Sequence, residues 1–374
     1  MDEYTFCGDR EIESSERNRL MSENKYIGMD VHQGSTVVAV RDESGKVVIQ
    51  SILETEGGTL LQFLHGLSGT LHVAFEEGVS AQWLHDLLVR QVARVVVCDP
   101  RKIAASVKKN DQVDARKLAE LLRAGQLSAV YHGESGLHLL KELARSYLAL
   151  TKDTTRVMNR LKSVYRSRAI RCPGQRVYNK GEREAWLEKL PARGARQRAE
   201  RLYEQLDFLQ PLRRQARQEL VAESRKHSVT ARLREIPFLG PVRVAVLISI
   251  VQTPFRFRNK RQFWSYLGLG IESRISGEYE LVGGRVRRTK RQVALRGLNR
   301  NHNPELKRVF KSAATEASAR PGPWRDWFTS KVQQGMRPPM ARLTLARKLA
   351  AVTLAIWKNE GRRYNDDRLK SQAA

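Results

Sequence analysis

The feature that most limits what this chain can fold into is a series of short apolar segments, within its first third, whose spacing alternates between strand and helix periods. Residues 26–30, 36–41 and 46–52 read as strands, parted by the turn-formers Gln33-Gly34-Ser35 and Asp42-Glu43-Ser44-Gly45. Three strands joined so tightly pair as an antiparallel meander. Helical spacing follows over residues 58–67 through Leu60, Leu61, Leu64 and Leu67. A strand at 71–75, a helix at 81–91, a strand at 94–98 and a helix at 112–127 complete the series. The order is β-β-β-α-β-α-β-α. Residues 26–30, 71–75 and 94–98 are nearly continuous in apolar side chains, which predicts buried central strands of an α/β sheet.

That order suits a ribonuclease-H-like fold, and the acidic residues fall where such a sheet exposes its strand ends. Asp30 closes the first strand and Glu76 the fourth, while Asp111 and Asp114 open the helix that carries Leu118, Leu121 and Leu122. Residues three apart on a helix share a side, so both aspartates line up with the leucines that hold the helix to the sheet. Strand alternation turns Glu77 away from Glu76, which favours Glu76 and leaves its neighbour as the alternative. Phosphoryl transfer gives four converging acids a purpose: two Mg²⁺ ions roughly 4 Å apart need shared carboxylates. Taken singly, Asp111 or Asp114 is better read as an ordinary helix-start residue; taken together with the acids at the strand ends, the metal-site reading is ahead.

The remainder of the chain is helical and basic. Its 67 Lys and Arg outnumber 40 Asp and Glu, a formal charge of +27 that draws polyanions, nucleic acid first among them. A long helix is predicted over 137–170, with six basic residues and no acid between Thr154 and Arg171: Arg156, Arg160, Lys162, Arg166, Arg168 and Arg171. Cys172-Pro173-Gly174 breaks it, and a charged helix resumes over 182–224, interrupted near Pro191; a helical hairpin or coiled coil is the simplest arrangement. Ile236-Pro-Phe-Leu-Gly240-Pro ahead of an apolar helix looks like the turn of a helix-hairpin-helix, with Phe238 where a second glycine is common. Residues 283–300 hold seven basic side chains and no acid, including Arg285, Arg287, Arg288, Lys290 and Arg291; they read as a phosphate-gripping segment or a solvated basic helix. The odd, scattered Cys7, Cys98 and Cys172 argue against disulfides and paired-cysteine zinc sites. A polar start and the lack of an apolar run near 18 residues lead us to expect a soluble, cytoplasmic, nucleoid-associated protein.

Ile27-Gly-Met-Asp30-Val-His, Phe75-Glu76-Glu-Gly78 and Lys109-Asn-Asp111-Gln-Val-Asp114-Ala-Arg-Lys resemble the DEDD domain of the IS-one-ten family of insertion-sequence transposases, shared with Piv-type DNA invertases. Ile236 to Pro241, Phe255-Arg-Phe, Gln262-Phe-Trp-Ser-Tyr-Leu-Gly and Ser276-Gly277 resemble that family's carboxy-terminal transposase domain. The resemblance implies a RuvC-like domain binding Mg²⁺ through Asp30, Glu76, Asp111 and Asp114. It also implies a nucleophilic serine at Ser276, with Ser273 in reserve, that forms a phosphoserine link to DNA. Donor and target DNA as partners, a noncoding bridge RNA, and a dimer or tetramer are further implications of the same resemblance. The domains expected are a leader at 1–24, a RuvC-like unit at 25–135, a helical spacer at 136–228, a mostly helical serine transposase domain at 229–360 and a tail at 361–374. Two rivals remain: a RuvC-like nuclease in which water attacks, and a non-catalytic nucleic-acid-binding protein.

Overall fold

The computed structural model describes residues 24–100, 103, 111–132, 136–276, 279–283, 285–288 and 292–365. Most of the leader expected at 1–24 and of the tail expected at 361–374 lies outside them. The chain divides into two compact units that meet in sequence at Glu134 and Ser135.

The first unit is a five-stranded mixed sheet. Strands β1 (Asn24–Val31), β2 (Ser35–Arg41) and β3 (Val47–Glu54) form the antiparallel meander; helix α1 (Gly57–His65), strand β4 (Thr70–Glu76), helix α2 (Ala81–Leu88) and strand β5 (Arg94–Cys98) follow. Across the sheet the order is β3-β2-β1-β4-β5, with β4 parallel to both β1 and β5. One face gathers Ile27, Met29, Val73 and Phe75 beneath Leu60 and Leu64 of α1 and Leu84 and Leu88 of α2. The other face takes helix α3 (Asp111–Arg123), whose Ala115 meets Val37 and Ala39 and whose Leu122 meets Ala74 and Val96. Alternation along the strands sends odd-numbered residues of β1 to the first face and Gly28 and Asp30 to the second.

Gly28 is what lets α3 lie so close. A methyl group there would sit 2.5 Å from Ala119 N and 2.9 Å from Leu118 Cβ, and would collide with the Ala115 carbonyl. One expectation needs correction: β5 stands at the sheet edge rather than in its centre. Its apolar run reflects burial on both faces, Val96, Val97 and Cys98 being enclosed, and a single bridge from Cys98 to Ala129 blunts the free edge.

In the second unit, helices α4 (His138–Arg166) and α6 (Arg193–Arg225) run antiparallel, with α5 (Arg183–Leu187) between them. Their outer ends close a small core of Val157, Leu161, Tyr165, Trp186, Leu202 and Leu206, while Leu140 and Leu220 at their inner ends join the main core. That larger core surrounds α8 (Pro241–Val251), apolar on every side as a fully enclosed helix should be, which follows the short α7 (Ser228–Arg234). Helices α9 (Lys260–Tyr266), α10 (Pro304–Ala319), α11 (Pro323–Gln333) and α12 (Pro338–Lys358) pack around it.

Strands interrupt this helical unit where the sequence left a basic helix open. β6 (Ile271–Ser276) pairs antiparallel with β9 (Gln292–Leu298), and β7 (Tyr279–Val282) with β8 (Arg285–Arg288). Gly283 turns between β7 and β8 at φ 59°, a conformation that a continuing helix cannot use. Among the described residues, no helix is long and apolar enough to cross a membrane.

Candidate metal centre and nucleic-acid surfaces

The parallel register of β1 and β4 pairs Met29 with Phe75, so the next residues, Asp30 and Glu76, end neighbouring strands on the α3 face. Helix α3 begins beside them. Its buried stripe of Ala115, Leu118, Ala119 and Leu122 continues backward to Asp111 and Asp114, so sheet contact aims the first turn at the strand ends.

Asp30, His32 and Asp111 each offer a ligand atom, and the three atoms lie within 4.8 Å of one another. His32 Nε2 is 3.4 Å from Asp30 Oδ2 and 3.4 Å from Asp111 Oδ2. Burial pushes the Asp30 carboxyl above its ordinary value; His32 opposes that shift, whereas the nearby charges of Asp111 and Asp114 add to it. The two carboxylates are hard oxygen donors suited to Mg²⁺ or Mn²⁺, and the imidazole adds a softer nitrogen donor. The exposure of Asp111, 61% of its side chain, leaves room for solvent or substrate oxygens.

Glu76 and Asp114 stand outside that 4.8 Å group. Asp114 is near enough for its charge to act on Asp30, and Glu76 lines a cleft of about 730 Å³ with His32, Thr55, Ser80 and Trp83. Glu77 is engaged elsewhere: its Oε2 lies 2.6 Å from Nε2 of His132 and its amide donates to the Cys98 carbonyl. His32 is the residue that sequence reasoning passed over. Its signal was its position two after Asp30, just past the end of β1.

In the second unit, Ser276 ends β6 opposite Gln292, and Ser273 pairs with Leu295 in the same ribbon. Gly277, Lys290 and Arg291 lie outside the described residues. Arg285 is exposed at the start of β8, where Arg287 pairs with Glu280 and Arg288 with Tyr279 along the backbone ladder. Arg160 and Arg166 are exposed on α4. Arg156 is also exposed but bonds Asp153 at 2.8 Å, and Lys162 donates to the Gly174 carbonyl at 2.6 Å. The turn before α8 keeps a left-handed residue without a second glycine: Phe238 adopts φ 67° and packs on the main core, and Arg243 donates to its carbonyl.

Fold and site together define an α/β protein with acids at the carboxyl ends of its parallel strands, continued by a strongly basic helical unit. Two transposase families match this chain: a DEDD transposase domain of the IS110 type over residues 27–167, and the Transposase IS116/IS110/IS902 family over residues 230–329. The chain belongs to that transposase family. It is 28% identical over 128 residues to the "Insertion element IS116 uncharacterized 44.8 kDa protein" of Streptomyces clavuligerus, a match covering 34% of this chain and 29% of that protein.

Proposed function

We propose that the chain cuts and rejoins DNA strands to move an insertion sequence, through a divalent-metal site and a serine nucleophile. The observation that carries this is the meeting of Asp30 and Asp111, from distant stretches of sequence, around His32. Asp30, Glu76, Asp111 and Asp114 would hold Mg²⁺, two ions in the fullest form, with His32 as an added donor. Bound there, the metal supplies Lewis acidity that offsets charge on the scissile phosphate and on the leaving oxygen.

Ser276 Oγ attacks the phosphorus. As the Oγ–P bond forms its proton leaves to solvent, the P–O bond to the departing sugar breaks, and that sugar oxygen takes up a proton. The product is a phosphoserine ester, which keeps the energy of the broken bond for rejoining when a sugar hydroxyl attacks in the reverse sense. Arg156, Arg160, Lys162, Arg166, Arg285, Arg287, Arg288, Lys290 and Arg291 hold phosphates of the bound strands. DNA is the substrate, a homodimer or tetramer the working form, and a noncoding bridge RNA the guide that chooses sites by base pairing.

Covalent trapping tests this. Wild type should retain labelled DNA through denaturation, Ser276→Ala should lose it, and Asp111→Asn should lose cleavage while DNA binding persists. Free ends with no adduct, unaltered in Ser276→Ala, would instead assign the attack to water. Sequencing of copurifying RNA tests the guide; random cellular fragments alone would refute it.

A further inference from the structure

The second unit contains a basic pocket that the metal site and the two sequence-flagged basic segments leave unused. Its volume is about 490 Å³, and it is lined by Tyr147 of α4, Gln210, Arg213, Arg214 and Arg217 of α6, and Val242 of α8. The four α6 residues fall at positions i, i+3, i+4 and i+7, which gathers them on one side of the helix. Among the described residues, no carboxylate lines the pocket. The acids of α6 nearest in sequence are occupied: Asp207 pairs with Arg183 and Lys180, and Glu219 accepts from Gln215. Among the described residues, the side chains of Arg213, Arg214 and Arg217 have neither hydrogen bond nor ion pair.

Three like charges spaced three and four apart repel along a helix, and a chain that keeps them unpaired around a concavity has built an anion receptor. Guanidinium forks match the paired oxygens of a phosphodiester, the Gln210 amide and Tyr147 hydroxyl add neutral donors, and the volume exceeds that of a bare phosphate. Val242 also brings the first turn of α8 to the pocket rim.

We infer that this pocket binds the sugar-phosphate backbone of a nucleic acid strand, as a contact separate from the cleavage site. The inference rests on the proposed nucleic-acid function and adds to it a site, a ligand class and three residues. Because it grips phosphate, it carries no sequence preference of its own.

The test uses the full chain with three fluorescent probes of arbitrary sequence, a DNA duplex, a DNA single strand and an RNA single strand, titrated across a range of salt. The variants are R213A/R214A/R217A and the charge-keeping R213K/R214K/R217K. Three lost phosphate contacts should lower duplex affinity on the order of ten- to a hundred-fold near physiological salt. They should also flatten the slope of log K against log salt by about 2.7, or by about 2 for a single strand. The lysine variant should keep most of the slope and match the alanine variant in thermal midpoint, which separates charge from folding. Loss on duplex, on single-stranded DNA or on RNA identifies which strand the pocket holds, and each supports the inference. Wild-type affinity and slope on all three probes would overturn it, as would an altered sedimentation state with binding unchanged, which assigns the face to a second copy of the chain. A wild-type protein that binds none of the probes would instead defeat the function proposed above.

Discussion

Replacing Gly28 by alanine should disable the proposed metal centre without touching any of its candidate ligands. The new methyl would meet Ala119 N at 2.5 Å and Leu118 Cβ at 2.9 Å, and would run into the Ala115 carbonyl. Ordinary contact distances between such atoms are roughly 3.5 Å, so α3 must retreat by about 1 Å. The obstructing atoms are mostly helix backbone, which cannot swing aside as a side chain could. Overpacking of this kind costs about 1–3 kcal/mol. The same retreat carries Asp111 and Asp114 away from Asp30, whose strand stays in the sheet, and stretches a donor group that now fits within 4.8 Å. Misplacement by about 1 Å can cost on the order of 100-fold in rate. Calorimetric titration with Mn²⁺ reads the site, and urea unfolding reads the packing. Gly34→Ala is the control, since nothing lies within 4 Å of a methyl built there. Wild-type Mn²⁺ affinity and an unmoved unfolding midpoint in Gly28→Ala would refute the claim that close sheet–helix contact assembles the centre.

If the acids hold a divalent metal as proposed, chelation with EDTA should abolish strand cleavage and leave duplex binding nearly intact, since they would supply metal affinity and no phosphate contact; gel-shift and cleavage assays on one sample check both. The Arg183 guanidinium, hydrogen-bonded to Asp207 at 2.6 Å through two nitrogens, holds that carboxyl below its ordinary 3.8. A depressed acid stabilises the fold above its unfolded value and loses that contribution as pH falls through the folded value. The pair should therefore add about 1 kcal/mol near neutrality, and less below pH 3.8, after allowance for its partial exposure. Asp207→Asn should flatten the acid limb of a stability–pH curve, and an unchanged limb would count against the pair. Burial, with a smaller push from the Glu76 charge, lifts the Cys98 thiol to about 12, so iodoacetamide at pH 8 should leave Cys98 unmodified until the protein is denatured, as peptide mass analysis would read.

The first unit was legible in the sequence because its signals are local and redundant. Alternating periods, tight turns and apolar runs each pointed to the same order of elements, and every predicted strand from 26 to 98 has its counterpart in the sheet. Lateral order was less legible. Burial on both faces makes β5 look central in one dimension, while pairing decides that it stands at the edge beside Ala129. Residues 283–300 misled in the opposite way, since their charge supports either a helix or a ribbon. Gly283 and the pairing of Arg285 through Arg288 with Tyr279 through Val282 decide for the ribbon.

The candidate site divides along the same line. Asp30, Glu76, Asp111 and Asp114 could be picked out as candidates because four acids recur together at strand ends and one helix start, although an aspartate at a helix start is ordinary when taken alone; the fold groups Asp30 with Asp111. His32 was harder to pick out, because a lone histidine two residues after Asp30 is a weak signal; Asp30 lies 3.4 Å from it within the same stretch of chain, and the approach of α3 adds Asp111 at 3.4 Å. That approach in turn depends on Gly28, two residues before Asp30 on the same strand face. The segment from Gly28 to His32 thus sets both halves of the centre: its glycine admits the helix that brings Asp111, and its aspartate and histidine receive it. A short stretch of chain can carry so much of the candidate site because alternation places Gly28 and Asp30 of β1 on the side of the incoming helix, and His32 follows just past the strand end.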